Sequence, residues 1–394
     1  MKRQLLEPTL AEIERQSLTR RRITIDGFVE RGNRLVTAVD GRTLVDFSSN
    51  DYLGLAHHPA IAAAMSACAL RFGAGSAASH LITGHGIEHE ALEEELAAFT
   101  GRERALLFST GYMANLGVIG ALADRGEWVL EDRLNHASLI DGALLSGARL
   151  KRYRHADPDD ADRMLEESTN EAAVVATDGV FSMDGDIAPL SRLAKAAAIH
   201  RAWLVVDDAH GLGVLGKNGR GSTEELSADE VPVLVGTLGK AFGSFGAFVA
   251  GSRELIELLI QRARPYIYTT ALPQPVAAAT RKALEIAQRE AWRRERVLAL
   301  TERFRQAARS EGLPVLESST PIQPLVLGSS AGALGAQKEL LQAGFRVVAI
   351  RAPTVPRGGE RLRITLSAAH TEEQVDTLVE TLAEITERYR TTLS

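Results

Sequence analysis

The reactive side chains of this sequence gather after two apolar runs of strand length. Asp207 and His210 follow the first run, in "WLVVDDAH", and Thr237 and Lys240 follow the second, in "GTLGKAFG". Both runs are continuously apolar, which is typical of parallel strands that are covered on both faces. Parallel strands direct their carboxyl ends to one edge of the sheet, where ligands bind in open α/β folds. We therefore expect these four side chains to converge on one crevice.

A lysine and an aspartate at such an edge indicate one kind of chemistry. A lysine amine that loses its charge on desolvation can form a Schiff base. A nearby aspartate would keep the ring nitrogen of pyridoxal phosphate protonated, so that the ring can act as an electron sink. The phosphate needs amide donors at a helix start, and "STGYMAN" offers a strand-to-helix turn in which Gly111 lets the backbone approach. These residues predict a pyridoxal-phosphate site around Lys240 and Asp207.

Two other motifs match well-known signatures without their structural context. The glycines of "GLGVLG" fit the dinucleotide fingerprint G-x-G-x-x-G, but the turn-rich "KNGRGSTEEL" follows them where that fingerprint requires a helix. "HGIEH" (85–89) fits a zinc-protease motif, H-x-x-E-H, but Gly86 weakens a helix there and no third ligand is evident. We expect neither a dinucleotide nor a metal site.

The elements that must position these residues form an α/β pattern from about residue 56 to 260. Apolar runs of strand length alternate there with helical segments, which is typical of a doubly wound parallel sheet. Beyond about residue 275 the pattern changes to long amphipathic helices and a few strands, which favours a smaller α+β domain. The sequence thus predicts an N-terminal segment (1–50), a large cofactor-binding domain (51–285) and a small C-terminal domain (286–394).

Composition excludes several classes of protein. The net charge of −6 argues against nucleic acid as the main partner. A single cysteine rules out an intrachain disulfide, and the charged N-terminus has no apolar signal segment. No apolar stretch approaches the length of a membrane span, so we expect a cytoplasmic protein without a membrane partner.

Several longer motifs together resemble those of the α-oxoamine synthases, pyridoxal-phosphate enzymes with the aspartate-aminotransferase fold. The motifs extend over nearly the whole chain and include "DFSSNDYLGL", "LNHASLIDG", "DGVFSMDGD", "VVDDAHGLGVLG", "GTLGKAFG" and "RLRITLSAAH". The resemblance implies fold type I of the pyridoxal-phosphate transferases, with a large, mostly parallel α/β domain and a smaller C-terminal α+β domain. It also implies the reaction of that family, in which an amino acid is joined to an acyl thioester and carbon dioxide is released.

The same resemblance implies a homodimer with active sites at the subunit interface. The segment "YIYTTALP" is similar to the one in which a hydroxyl group reaches the phosphate bound by the partner subunit. In this chain either Thr269 or Thr270 would supply that hydroxyl.

The resemblance also implies roles for the residues around the cofactor. Lys240 would form the Schiff base, Asp207 would pair with the pyridine nitrogen, and His210 would hydrogen-bond the phenolic oxygen with the aid of Ser182. His136, in "LNHAS", would stack on the ring face and guide protons.

Further residues would bind the edge of the cofactor or the amino acid. Gly111 and Tyr112 would lie against the cofactor, and Thr237 would reach its phosphate. Arg363, the second arginine of "RLR", would grip the carboxylate of the amino acid. A bidentate guanidinium suits that task.

The C-terminal segment "AIRAPTVPRGGERLRITLSAAHT" is most similar to the branch of the family that joins L-alanine to a pimeloyl thioester. In that branch Thr354 and an N-terminal arginine would contact the substrate. Arg20 is our choice, with its neighbours Arg21 and Arg22 left open. The acyl carrier, coenzyme A or acyl-carrier protein, is also open. The alternatives are the branches that join glycine to acetyl-CoA or succinyl-CoA and, more remotely, an aminotransferase.

Overall fold

The computed structural model describes residues 5–16, 18–20, 22–28, 35–38, 41–168 and 172–389. The chain divides into two compact units. The large unit comprises Asn50–Ser182 and Asp186–Arg296, and the terminal unit comprises Met1–Ser49, Met183–Gly185 and Val297–Ser394. The N-terminal and C-terminal segments therefore belong to one unit, and the three-domain division of the sequence stays a prediction.

The large unit contains one sheet of seven strands. In chain order the strands are β4 (Arg104–Phe108), β5 (Trp128–Asp132), β6 (Arg149–Tyr153), β7 (Ala172–Asp178), β8 (Trp203–Asp207), β9 (Val233–Thr237) and β10 (Ala247–Gly251). Their order across the sheet is β4-β10-β9-β8-β7-β5-β6. Only β10 is antiparallel to its neighbours, so β4 runs in the same direction as the other five. Six strands thus end at the same edge.

Helices cover both faces of this sheet. On β7, Val174 packs in one apolar cluster with residues of the helix that follows β4, whereas Val175 packs in another with Leu193. This alternation follows from the two-residue period of a strand and explains why the strands are apolar throughout. The helices of this unit are α2 (Pro59–Phe72), a π-helix (His80–Gly84), α3 (Ile87–Thr100), α4 (Gly111–Leu122), α5 (Ala137–Ser146), α6 (Pro158–Glu167), α7 (Leu190–Ile199), α8 (Arg253–Arg262), α9 (Arg264–Ile267) and α10 (Gln274–Arg289).

The terminal unit contains two small sheets. Strands β1 (Ile25–Phe28), β2 (Leu35–Ala38), β3 (Thr43–Asp46) and β12 (Phe345–Arg346) form one in the order β1-β2-β3-β12. Strands β11 (Ile322–Val326), β13 (Val348–Ile350) and β14 (Arg361–Thr365) form the other in the order β11-β14-β13. The helices that carry residues of this unit are α1 (Leu6–Arg15), α11 (Trp292–Ser310), α12 (Ser330–Gln342) and α13 (Glu372–Tyr389), of which α11 begins in the large unit.

The sequence pattern missed two strands of the large sheet. β6 reads "RLKRY", and most of its residues are solvent-accessible because it lies at the sheet edge. Such a strand lacks the apolar run of a central strand. β10 reads "AFVAG" and is fully buried, but its small residues stand in a glycine-rich context that resembles a loop. Among the described residues no helix is both long and apolar enough to cross a membrane.

Candidate active site

Polar side chains end the parallel strands of the large unit at one edge. Asp132 ends β5, Asp178 ends β7, Asp207 ends β8 and Thr237 ends β9. Because β5, β7, β8 and β9 are parallel and neighbouring, these side chains lie along one edge of the sheet. Of the four residues that the sequence predicts to converge, Asp207 and Thr237 end two of these strands, and His210 lies 3.0 Å from Lys240.

The Asp207 carboxylate is buried and held in one orientation. Its Oδ2 accepts a hydrogen bond from Asn115 Nδ2 at 2.6 Å, and its Oδ1 accepts one from the Ala209 amide at 3.0 Å. Asn115 lies on α4 and also donates to Ser138 Oγ at 2.8 Å. Sequence analysis missed Asn115, although it stands one helical turn after Gly111 in "STGYMAN", where its side chain shares the face of the helix start.

A chain of three polar groups ends at Lys240. Lys240 Nζ lies 3.0 Å from His210 Nε2, and His210 Nδ1 lies 2.7 Å from the Tyr52 hydroxyl. An ammonium group can only donate, so Nε2 accepts and Nδ1 carries the proton that is donated to the Tyr52 oxygen. Tyr52 is fully buried, and its hydroxyl oxygen can accept that proton. It belongs to "DFSSNDYLGL", but a single tyrosine in a mixed polar and apolar stretch gives no separate signal.

A carboxylate and a hydroxyl hold His136 at the sheet edge. Its amide donates to Asp178 Oδ2 at 2.8 Å, and its Nδ1 lies 2.7 Å from Ser138 Oγ at the start of α5. Desolvation and the positive Lys240 lower the pKa of His136 although part of the side chain is open to solvent, and Asp207 acts in the opposite direction. Burial and the neighbouring Asp207 raise the pKa of Asp178 well above its ordinary value. A neutral imidazole with an open face suits ring stacking.

The remaining cofactor predictions lie around the same edge. Thr110 caps α4 by accepting from the Met113 amide at 3.2 Å, and a Cβ at Gly111 would meet no atom within 4 Å. The start of α4 thus offers amide donors beside open space, which suits a phosphate. Tyr112 is exposed and donates its hydroxyl proton to Asp141. Thr237 Oγ1 donates to the Gly246 carbonyl at 3.2 Å.

The residues of the crevice therefore fit pyridoxal phosphate. They provide an amine, a buried carboxylate for the ring nitrogen, an open imidazole face and helix-start amides for the phosphate. Ser182 is half-buried in a turn closed by a hydrogen bond from the Phe181 amide to the Asp186 carbonyl at 3.0 Å. Thr269 is half-buried and Thr270 exposed, just after α9.

The substrate predictions fall in the terminal unit, where two of them share one cavity. This cavity of about 690 Å³ is lined by Arg20 and Thr354 together with Arg346 and Arg351. Its other walls are largely apolar, and no acidic residue of the described chain lines it. Arg22 is exposed, whereas Arg21 lies outside the described residues.

Arg363 is buried within β14 of the same unit. Its register partners are Pro324 on β11 and Val348 on β13. Val348 also lines the cavity, so the strand of Arg363 runs beside the cavity wall.

His85 and His89 of the "HGIEH" motif lie close to His80, but the nitrogens of His89 already have hydrogen-bond partners. The nitrogens of His80, His85 and His89 lie within 4.8 Å of one another. His89 Nδ1 accepts from the Gly86 amide at 2.9 Å, and His89 Nε2 donates to the Leu272 carbonyl at 2.5 Å. Because both nitrogens of His89 have backbone partners, this arrangement serves to begin α3 rather than to ligate a metal ion.

Comparison with known proteins agrees with this site. A family model for class I and II aminotransferases matches residues 42–382. The chain is 60% identical over 349 residues to an 8-amino-7-oxononanoate synthase of Cellvibrio japonicus, covering 88% of both proteins. It is 59% identical over 377 residues to one of Methylococcus capsulatus, covering 95% of this chain and 96% of the relative.

Solved structures agree in fold. The serine palmitoyltransferase of Sphingomonas wittichii superposes with a TM-score of 0.92 at 32% identity and 98% coverage of both chains. The 8-amino-7-oxononanoate synthase of Francisella tularensis superposes with a TM-score of 0.77 at 31% identity, covering 88% of this chain and 98% of that one. The predicted fold is thereby confirmed. The chain belongs to the class I and II aminotransferase family of pyridoxal-phosphate enzymes and, within it, to the 8-amino-7-oxononanoate synthases.

Proposed function

We propose that this protein is a pyridoxal-phosphate-dependent acyltransferase that condenses L-alanine with a pimeloyl thioester. The new bond joins the alanine Cα to the acyl carbon, the carrier thiol leaves, and the alanine carboxylate departs as carbon dioxide. The product is 8-amino-7-oxononanoate, an intermediate of biotin biosynthesis. The observation that carries the proposal is the Lys240–His210 pair beside the buried Asp207, in a chain about 60% identical to synthases of this name.

The protein groups hold and move protons around the reacting carbon. When bound, the cofactor supplies an electron sink for the negative charge that develops on the alanine Cα. Asp207 would pair with the ring nitrogen and favour its protonated state. Lys240 takes the Cα proton and later returns one, since an amine in a partly desolvated site is an effective base. His210 accepts from Lys240 and keeps the amine directed at the crevice.

Two further groups orient the reactants. His136 would stack on the ring face with a neutral imidazole and guide protons. Arg363 binds the alanine carboxylate through two parallel hydrogen bonds. His210, aided by Ser182, would hydrogen-bond the phenolic oxygen, Thr237 would reach the phosphate, and Gly111 and Tyr112 would lie against the cofactor.

The cavity of the terminal unit supports a dicarboxylic acyl donor. Its apolar walls suit a methylene chain, and its arginines suit a carboxylate or a phosphate at the end of that chain. Arg20 and Thr354, which the family resemblance assigns to the substrate, both line it. We assign the pimeloyl group to this cavity.

Product analysis by mass spectrometry tests the proposal. Purified protein loaded with pyridoxal phosphate is incubated with L-alanine or glycine and with pimeloyl-CoA, pimeloyl-acyl-carrier protein, acetyl-CoA or succinyl-CoA. We expect 8-amino-7-oxononanoate from L-alanine with one or both pimeloyl donors, and the two pimeloyl arms decide the carrier. A product formed only from glycine would contradict the proposal in favour of an acetyl or succinyl branch. Amino transfer to a keto acid without condensation would indicate an aminotransferase.

We also propose that the protein is a homodimer in which Thr269 or Thr270 reaches the phosphate of the partner subunit. Sedimentation velocity should give one species of twice the chain mass, and a monomer with full activity would contradict this assembly. The expected cytoplasmic location stays a prediction.

A further inference from the structure

A second aspartate stands directly after Asp207 and has a different environment. Asp208 is fully buried, and its carboxylate accepts two hydrogen bonds from one residue, Ser222. The Ser222 amide donates to Oδ2 at 2.8 Å, and the Ser222 hydroxyl donates to Oδ1 at 2.7 Å. Asp208 begins the segment that joins β8 to β9, and Ser222 lies 14 residues later, about midway to Val233, where β9 begins. This pair therefore closes the first part of that segment into a loop.

Three glycines make room for the Asp208 carboxylate. A Cβ would lie 2.5 Å from its oxygens at Gly179, 2.2 Å at Gly211 and 1.7 Å at Gly221. These distances are too short for any side chain. Gly211 opens the "GLGVLG" motif, so that glycine serves the buried carboxylate and not a dinucleotide phosphate.

The loop between Asp208 and Ser222 carries His210. The Asp208 carbonyl accepts from the Gly211 amide at 3.1 Å and from the Leu212 amide at 3.0 Å, which forms a tight turn around His210. His210 in turn lies 3.0 Å from Lys240 Nζ. The position of the imidazole therefore depends on a turn that Asp208 fixes from both its backbone and its side chain.

We propose that Asp208 and Ser222 are positioning residues that hold His210 against Lys240. This inference rests on the proposed function for the role of Lys240. Burial raises the pKa of Asp208 to about 7, and the two hydrogen bonds from Ser222 oppose that effect. Ser222 thus also stabilises the charged carboxylate inside the turn.

The test compares Ser222→Ala with Ser222→Thr and with a matched control. The control is Ser227, which donates both its amide and its hydroxyl to Oε2 of Glu230, each at 2.8 Å, at an exposed site. The pH midpoint of the visible absorbance of the protein loaded with pyridoxal phosphate reports the surroundings of Lys240 without substrate. We expect Ser222→Ala to shift this midpoint by about 0.5 pH unit or more and to lower kcat about tenfold, with both KM values within about twofold.

Ser222→Thr, which keeps the hydroxyl, should restore the midpoint, and Ser227→Ala should leave it unchanged. A Ser222→Ala protein that loses thermal stability but keeps the midpoint and kcat would overturn the proposal, because its role would then be structural only. Asp208→Asn provides a second variant, for which we expect a shift in the same direction if it folds.

A cofactor-free measurement separates this inference from the proposed function. The pH dependence of Lys240 labelling by an amine-reactive reagent, followed by peptide mass spectrometry, should also differ between Ser222→Ala and the wild type. Failure to bind pyridoxal phosphate would count against the proposed function. Unchanged labelling of Lys240 in Ser222→Ala would count against the positioning role alone.

Discussion

The edge of the seven-stranded sheet and the cavity of the terminal unit are built on different principles. At the sheet edge, Asp207, Asn115 and His210 are all buried. Asn115 donates to Asp207 at 2.6 Å, and His210 lies 3.0 Å from the Lys240 amine. In the cavity, Arg20 and Thr354 are exposed and stand on irregular segments outside regular strands.

From this difference we infer that the sheet edge carries out the chemistry and that the cavity selects the acyl donor. Proton transfer requires donors and acceptors held within a few tenths of an ångström, and buried strand ends provide that. A long acyl chain that ends in a carboxylate can be selected by arginine side chains, which need only contact the charged group at its end. Substitutions at the sheet edge should therefore reduce kcat, and substitutions in the cavity should raise KM.

The largest effect is expected from Lys240→Ala. Loss of the amine removes both the covalent anchor and the base, so kcat should fall by about 10⁴-fold or more. Steady-state product formation measures it, with the exposed Lys195→Ala as control. Turnover within tenfold of the wild type, without added amine, would show that Lys240 lies outside the chemistry.

Asp207→Asn should cause the second-largest loss of kcat. The amide keeps the shape of the carboxylate but loses the charge that pairs with the ring nitrogen, so kcat should fall about 10³-fold, which corresponds to about 4 kcal/mol. Asn115→Ala leaves the charge and removes one hydrogen bond, and we expect a smaller loss of about tenfold. Equal kcat values for Asp207→Asn and the wild type would break the assignment of the sheet edge.

Arg20→Met tests the cavity of the terminal unit. The KM for the pimeloyl donor should rise about 10- to 100-fold at nearly constant kcat, because one hydrogen-bonded charge pair is lost. A heptanoyl thioester lacks the terminal carboxylate and should bind wild type and variant alike. Arg22→Met tests the neighbouring arginine that the sequence leaves open as the substrate contact. An equal effect of Arg20→Met on both donors would remove Arg20 from carboxylate recognition.

The smallest expected effect is on the free energy of unfolding and concerns Glu131. Burial raises the pKa of Glu131 on β5 to about 8, with Asn135 and Arg152 acting against it. The folded protein thus binds this proton more tightly than the unfolded chain, and its contribution to stability falls as the pH rises from about 4.5 to 8. Glu131→Gln should match the wild type at pH 5 and exceed it by about 1–3 kcal/mol at pH 9 in urea unfolding.

The exposed Glu166→Gln should show no such pH-dependent gain. A Glu131→Gln protein that is less stable than the wild type at pH 9 would contradict the raised pKa.

Sequence reasoning identified polar residues that the topology brings to one sheet edge and missed the protein groups that hydrogen-bond to them. Lys240, Asp207 and His210 stand at strand ends, where topology alone brings them together. Asn115 and Tyr52 are partners of those residues across the fold, and their contacts depend on long-range packing that no local pattern encodes. The sequence shows Gly211 only as part of a fingerprint that lacks its helix, whereas its necessity comes from the Asp208 carboxylate, which fills the space of a Cβ.

Borohydride reduction of the protein loaded with pyridoxal phosphate, followed by peptide mass spectrometry, tests the central claim most directly. Reduction makes the bond between the cofactor and its lysine permanent, so that the modified residue can be identified. We predict the cofactor on the peptide that contains Lys240 and on no other lysine. A cofactor attached elsewhere, or no attachment at all, would contradict the assignment of the sheet edge as the catalytic site.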